Sequence, residues 1–209
     1  MKITKGLLED LHACADGLEW FENNFPDGGE YQTVLDKLGA ENNPPYAKWL
    51  MDRIPSDNSV LEIDEIKIDG SLFFAGKIVV KKGIAVTGYL KAGRAIEAGS
   101  GIEAGDGIEA GQSIQAGDGI KAGDGIEAGW GIEAGDGIKA GDGIKAGDGI
   151  EAGRGIEAGR GIDAGDDYGI FAGVKIKVGS WEIGAKVIAK SKPQNLISGF
   201  WIEPDAEEK

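Results

Sequence analysis

Residues 101–129 read GIEAGDGIEAGQSIQAGDGIKAGDGIEAG, and this stretch decides the fold. Ile recurs at every sixth position, Ala follows two places later, and a glycine-rich corner closes each unit. The period extends in both directions, so that an aliphatic residue stands at every sixth position from Ile66 to Ile162, a run of seventeen units. A strict short repeat packs each unit only against its neighbours, which predicts an elongated solenoid.

Each six-residue unit combines a short strand with a corner. In Ile102-Glu103-Ala104 the first and third side chains point inward and the second points outward, as alternation along a strand requires. We expect the Gly-Asp-Gly corner to use the freedom of glycine to adopt positive φ and to let backbones approach closely. Three units close one coil of 18 residues. The repeat therefore predicts a mainly β fold, a single-stranded triangular β-helix of parallel strands.

The chain divides into three parts. Residues 1–56 predict a small α-helical module, in which Asp16 and Glu19 have the spacing of a capping box. Residues 60–190 predict the β-helix, including a two-residue slip after Asp166 that moves the aliphatic column to Ile170 and Ile176 and a degenerate last coil from Trp181 to Ala189. Residues 191–209 predict a C-terminal cap strand followed by an acidic tail.

Charge limits the class of partner. The formal net charge is −14, with 5 basic and 11 acidic residues in 1–60 and 7 basic and 16 acidic residues in 91–167. Direct binding to a nucleic-acid backbone is not expected of so acidic a chain, whereas a protein with a basic surface is a fitting partner. No stretch is long and apolar enough to span a membrane and no signal peptide is evident, so we expect a cytoplasmic protein.

The repeat resembles that of hexapeptide-repeat β-helix proteins, which include left-handed acyltransferases and bactofilin-like scaffolds. The resemblance concerns the fold and covers about residues 60–190. In the acyltransferase pattern the large aliphatic residue follows the small one, whereas here Ile102 precedes Ala104. The resemblance favours left-handed winding, and this inverted order leaves right-handed winding open. The stretch from Ala13 to Phe21 resembles a helical module of uncharacterised phage and bacterial proteins.

Residues 18 apart share a face, and the three faces differ in their outward charges. Two of them combine carboxylates with lysines on adjacent coils: the first face carries Glu103, Lys121, Lys139 and Glu157, and the second face carries Glu109, Glu127, Lys145 and Asp163. The third face has no cation in its column, which reads Glu97, Gln115, Glu133 and Glu151. The corner after it adds Asp118 and Asp136. Uncompensated like charges on adjacent strands cost stability, so the third face is the candidate binding site.

Other motifs carry less chemistry. The repeat has no histidine to act as the general base of an acyltransferase, and His12, the one histidine of the chain, fits a surface or packing residue. Cys14, the one cysteine, fits a small buried apolar residue. A six-residue period does not reproduce the nine-residue calcium repeat, so neither a metal nor a cofactor is expected, although weak cation binding between stacked aspartates stays open. Trp130 occupies a corner position that elsewhere holds Asp, Arg, Ser or Gln, and it is a candidate interface anchor.

These observations predict a non-enzymatic binding protein whose acidic face contacts a basic protein surface. A phage-encoded inhibitor that mimics DNA towards host nucleic-acid-handling or defence machinery fits this chemistry. A structural scaffold or phage-particle protein is the alternative, an acyltransferase is a second one, and assembly into a homodimer is left open.

Overall fold

The computed structural model describes residues 1–165, 169–173 and 185–204. It contains an N-terminal module of short helices joined to a parallel β-solenoid. The helices are α1 (Lys5–Asp10), α2 (Ala15–Asn24), α3 (Tyr31–Ala40) and α4 (Pro44–Arg53). Two short antiparallel strands, Lys2–Ile3 and Gly29–Glu30, complete the module.

Two of the four helices that the structure describes, α1 and α4, begin with a side-chain cap. The Thr4 hydroxyl accepts from the Leu7 backbone N–H at the start of α1, and the Asn43 side chain accepts from the Tyr46 N–H at the start of α4. The predicted capping box of Asp16 and Glu19 is wrong, because α2 begins one residue before Asp16 and places both residues inside the helix. Asp16 instead lies in the first turn, where the helix dipole favours a carboxylate.

The solenoid consists of three parallel sheets, one for each face. The sheet of the first face contains Ile66–Ile68, Ile84–Val86, Ile102–Ala104, Ile120–Ala122, Ile138–Ala140, Ile156–Ala158, Lys186–Ile188 and Phe200–Ile202. The sheet of the second face contains Leu72–Phe74, Leu90–Ala92, Ile108–Ala110, Ile126–Ala128, Ile144–Ala146 and Ile162–Asp163. The sheet of the third face contains Val60–Ile63, Lys77–Val80, Ile96–Ala98, Ile114–Ala116, Ile132–Ala134, Ile150–Ala152, Ile170–Ala172 and Leu196–Ser198.

The register confirms the 18-residue coil. Ile102 pairs with Ile120 and Ala104 pairs with Ala122, so that identical residues stack one coil apart. All seventeen aliphatic residues from Ile66 to Ile162 lie in strands, and each begins its strand except Ile78, which follows Lys77. The Ile and Ala side chains form one continuous apolar core, and the Ile residues from 96 to 156 are at most 1% exposed. Burial of this column is the main stabilising contribution of the repeat.

The two-residue slip is also confirmed, since Ile150 pairs with Ile170 rather than with residue 168. Ile176 and the segment 181–184 of the predicted last coil lie outside the described residues. The strand Lys186–Ile188 continues the sheet of the first face. Further on, Leu196–Ser198 and Phe200–Ile202 form the last strands of two sheets, and the structure describes nothing beyond residue 204.

The corner glycines serve close approach and not positive φ. Among the described glycines positive φ occurs only at Gly28, Gly70, Gly173 and Gly199, none of which belongs to the regular units from 96 to 165. A Cβ added at Gly123 would lie 1.8 Å from the carbonyl oxygen of Gly105 in the preceding coil. The predicted positive φ at these corners is therefore wrong, and the predicted close approach is right.

Candidate functional site

The third face presents a column of outward side chains one coil apart. Gln115 pairs in register with Glu97 on one side and with Glu133 on the other, and Glu133 pairs with Glu151. Parallel neighbours lie about 4.8 Å apart. Gln115, Glu133 and Glu151 are exposed, and Glu97 is half-buried. Rigid strands therefore hold three carboxylates in one line, directed into solvent.

Two of the predicted site residues have a cationic partner. The Lys77 ammonium lies 2.7 Å from Glu97, and the Arg154 guanidinium lies 3.0 Å from Asp136. Sequence analysis missed the ion pair of Lys77 because this residue precedes the inward Ile78 of its strand. In the regular units the same position holds Gly or Ser. Lys77 supplies the cation that the column itself lacks.

The uncompensated part of the site is smaller than the sequence predicted. Glu133 accepts a hydrogen bond from the Gln115 amide at 3.1 Å, and Glu151 and Asp118 have no cationic partner in the part of the chain that the structure describes. Asp118 lies on the corner directly behind Asp136, whose backbone N–H donates to the Asp118 carbonyl at 3.1 Å. The acidic patch thus consists of Asp118, Glu133 and Glu151.

Trp130 borders the same face on its other side. Its side chain is 53% exposed, and it lies on the corner that leads into the strand Ile132–Ala134, three residues before Glu133. The predicted anchor and the predicted acidic residues therefore meet around one face. The outward column continues past Glu151 to Phe171, which the two-residue slip brings into register. Sequence reasoning missed Phe171, although the slip was the signal that could have found it.

The other faces confirm the predicted charge compensation. On the first face Lys121 lies 2.7 Å from Glu103 and Lys139 lies 2.8 Å from Glu157. On the second face Lys145 makes a longer contact of 3.9 Å with Glu127.

Negative charge is not confined to the third face, however. The corner between the first and second faces stacks Asp106, Asp124 and Asp142, of which only Asp142 meets a cation among the described residues, Arg160 at 3.2 Å. Charge density alone does not separate the third face from this corner. What separates them is that the third face combines stacked strand carboxylates with the exposed Trp130 and the half-buried Phe171.

A second charged cluster joins the helical module to the second face. Glu109 accepts hydrogen bonds from the Lys48 ammonium and the Tyr89 hydroxyl and forms an ion pair of 2.9 Å with Lys91, which also contacts Asp52 at 2.6 Å. Burial by itself raises the pKa of Glu109, but the hydrogen bonds from Lys48, Tyr89 and Lys91 outweigh it, and the net shift is downward. Each charged group has a partner, so this cluster reads as a structural junction.

The one cysteine and the one histidine of the chain both lie at the surface of the module. Cys14 is exposed, so the prediction of a buried cysteine is wrong: it precedes α2 at the rim of a cleft, and the apolar core lies below it. His12 is exposed as well, with a positive φ of 61°, so of the two predicted settings, surface and packing, the structure shows the surface one. Neither residue contacts the acidic patch.

The comparisons with known proteins concern the module alone. The family described as YdhT N-terminal domain matches residues 1–57. No curated protein and no solved structure matches the chain. Within the described residues no helix could cross a lipid bilayer, since the longest ones have 10 residues and a span needs about 20.

Proposed function

We propose that this chain is a non-enzymatic binding protein whose third face contacts a basic surface of a partner protein. The observation that carries the proposal is the stacking of Glu133 on Glu151, one coil apart and exposed, with Asp118 on the adjoining corner. Like charges in register destabilise adjacent strands. When Lys or Arg side chains of a partner contact the two carboxylates, attraction to these cations replaces the repulsion between them.

The surroundings of the patch support a protein partner. Exposed aromatic side chains are frequent anchors at protein interfaces, and Trp130 at one edge is exposed. The half-buried Phe171 at the end of the column adds apolar surface beside the carboxylates. A partner that handles nucleic acid would already present a basic surface. The proposal therefore includes an inhibitor that occupies the DNA-binding surface of such an enzyme, encoded by a phage against its host.

A structural role is the second candidate, and one observation favours it. Ile197 is 67% exposed and Phe200 is 49% exposed on the last described strands of the solenoid, where further chains could stack. Light scattering across a concentration series separates the two proposals, since a scaffold would grow into filaments whereas a binding protein would keep one defined mass.

A charge-reversal experiment tests the binding proposal. The site variant carries Asp118→Lys, Glu133→Lys and Glu151→Lys, and the matched control carries Asp106→Lys, Asp124→Lys and Glu127→Lys. Both variants change the net charge equally, and neither removes a short ion pair. Affinity capture from a host lysate should recover a basic protein with the unmodified chain and with the control, and lose it with the site variant.

Competition then separates the DNA-mimic form of the proposal from a plain acidic interface. Duplex DNA added to the captured complex should displace the partner if both occupy the same basic surface. Equal loss of the partner in both variants would show that bulk charge and not the third face governs capture, and the proposal would fail.

A further inference from the structure

The helical module contains an apolar cleft that the solenoid does not cover. It has a volume of about 320 Å³ and lies between α2, α3 and α4. Its floor is formed by buried side chains such as Leu8, Phe21 and Leu38. Trp20, Tyr46 and Trp49 line its walls and remain half-exposed. A module of this size leaves three large aromatic side chains partly in water, the residue types that dominate binding hot spots.

The rim of the cleft carries polar side chains and adjoins one carboxylate. His12, Cys14 and Pro45 are exposed at its edge, and Asp16 follows directly in the first turn of α2. Partial loss of solvent raises the pKa of the Tyr46 hydroxyl, and the Asp16 carboxylate adds to that shift. No Lys or Arg stands among the residues that line the cleft, and the nearest cation given by the structure is Arg53, whose guanidinium lies 4.5 Å from the centroid of the Trp49 ring.

Three of the four lysines of the module are held in ion pairs away from the cleft. Lys5 contacts Glu22 at 2.7 Å, Lys37 contacts Glu41 at 2.8 Å, and Lys48 contacts Glu109 across the junction. Residues 1–57 contain 5 basic and 11 acidic residues, a net charge of −6. The field around the cleft therefore disfavours an acidic occupant and favours a basic one.

This charge also argues against two simpler occupants. The C-terminal tail of a second copy is acidic, with Glu203, Asp205, Glu207 and Glu208 within seven residues. An anionic lipid surface would be repelled in the same way. A groove between helices with an aromatic lining is, in contrast, the usual receptor for the apolar face of an amphipathic helix.

We propose that this cleft binds an amphipathic helix of another protein, whose large apolar side chains at i, i+3 or i+4, and i+7 enter the cleft and whose flanking lysines or arginines face Asp16. The cleft is separate from the third face, so this proposal does not depend on the proposed role of the acidic patch.

Cys14 provides a local readout, because it is the one cysteine of the chain and lies at the rim of the cleft. The probe is a 14-residue synthetic helix with Leu on one face and Lys on the other. At a peptide concentration of about ten times Kd, the rate of Cys14 alkylation should fall about tenfold, as mass action requires. Peptide bound only to the acidic solenoid would leave this rate unchanged, and that result would overturn the proposal.

Three comparisons complete the test. A peptide with Glu in place of Lys should protect Cys14 at least tenfold less well at equal concentration, and equal protection would overturn the charge preference. A Leu/Lys peptide of scrambled order should fail, because its apolar side chains share no face. Protection by phosphatidylcholine or phosphatidylserine vesicles would assign the cleft to a membrane surface instead.

Gly17→Leu is the blocking variant. Gly17 lies within α2, and a Cβ there would make only an ordinary contact of 3.4 Å with the Cys14 sulfur, so the helix accepts the change while the new side chain fills the cleft. Binding of fluorescently labelled Leu/Lys peptide, followed by anisotropy, should weaken about tenfold or more in this variant. Unchanged binding in a variant with an unaltered circular dichroism spectrum would refute the cleft as the site.

Discussion

The second face shows two different surfaces on one column of strands. Near the module its outward side chains are covered: Phe73 is 1% exposed, and the side chains of Lys91 and Glu109 are 11% and 15% exposed. One and two coils further on, the side chains of Glu127 and Lys145 are 59% and 65% exposed. The backbone register is the same throughout, since Glu109 pairs with both Lys91 and Glu127.

The difference teaches that the repeat determines the backbone and that the neighbouring part of the chain determines the use of each surface. Glu109 and Glu127 both stand in an Ile-Glu-Ala unit, yet one forms a half-buried junction and the other a solvated charge. Phe73 and Ala75 of the first coils even belong to the hydrophobic core of the helical module. Variants at matched positions can therefore separate backbone effects from surface effects.

The largest effect on the unfolding free energy is expected where a substitution prevents the close approach of adjacent coils. A Cβ at Gly123 would meet the Gly105 carbonyl oxygen at 1.8 Å, whereas one at Gly125 would meet the Gly143 oxygen at 3.3 Å. Gly123→Ala forces adjacent coils apart and should cost about 3 kcal/mol of unfolding free energy or more, and Gly125→Ala should cost less than about 1 kcal/mol. Urea denaturation of both variants measures the difference, and equal losses would contradict the stacking geometry.

The next effect separates the covered from the exposed part of the second face. Glu109→Ala leaves the half-buried Lys48 ammonium without a carboxylate and Lys91 with Asp52 alone. It should cost about 2 kcal/mol, below the range for fully broken buried pairs because Lys91 keeps one partner. Glu127→Ala, one coil away, removes an exposed group and should change the unfolding free energy by less than about 0.5 kcal/mol. Chemical denaturation of the two variants compares them, and a similar loss in both would show that the junction is solvated.

The same junction predicts a dependence on pH. The folded-state pKa of Glu109 lies below its unfolded value of about 4.3, so its contribution is fully present above that pH and is lost as pH falls through the folded-state pKa. The difference in unfolding free energy between the unmodified chain and Glu109→Gln should therefore be nearly constant from pH 5 to 7, above both the folded and the unfolded pKa of Glu109. It should shrink in more acidic solution. Denaturation curves of both chains, recorded from pH 7 down to pH values below the unfolded pKa of Glu109, measure this difference. A difference that grows on acidification would show the opposite pKa shift.

How much the sequence could predict follows from the distance over which each contact forms. The 18-residue register, the inward Ile and Ala, the slip at Asp166 and the exposure of Trp130 all follow from a local period. The burial of Glu109 does not, because it depends on Lys48 of a helix 61 residues away. Cys14 escaped prediction for a related reason, since an apolar neighbourhood in sequence did not show that a cleft opens beside it.

The site itself was predictable in part. The column of Glu133 and Glu151 followed from residue spacing alone, and the winding hand of the coil stays a prediction. Lys77 and Phe171 were hidden because each lies where the regular unit is interrupted, one before the glycine-rich corners become regular and the other after the two-residue slip. Interruptions of a repeat are thus the positions where the surface departs from its pattern.

The smallest expected effect tests whether the acidic column of the third face lowers the stability of the chain. Glu133→Lys places an ammonium between Gln115 and Glu151 and turns a like-charge pair into an attractive one, so the unfolding free energy should rise by about 0.2–1 kcal/mol. Lys145→Glu makes the opposite change on the second face, between Glu127 and Asp163, and should lower it by a similar amount. Both shifts should fade in 1 M salt, where exposed charges are screened. If Glu133→Lys destabilised the chain at low salt, the acidic column would carry no stability cost, and the argument that it is kept for a partner would lose its physical basis.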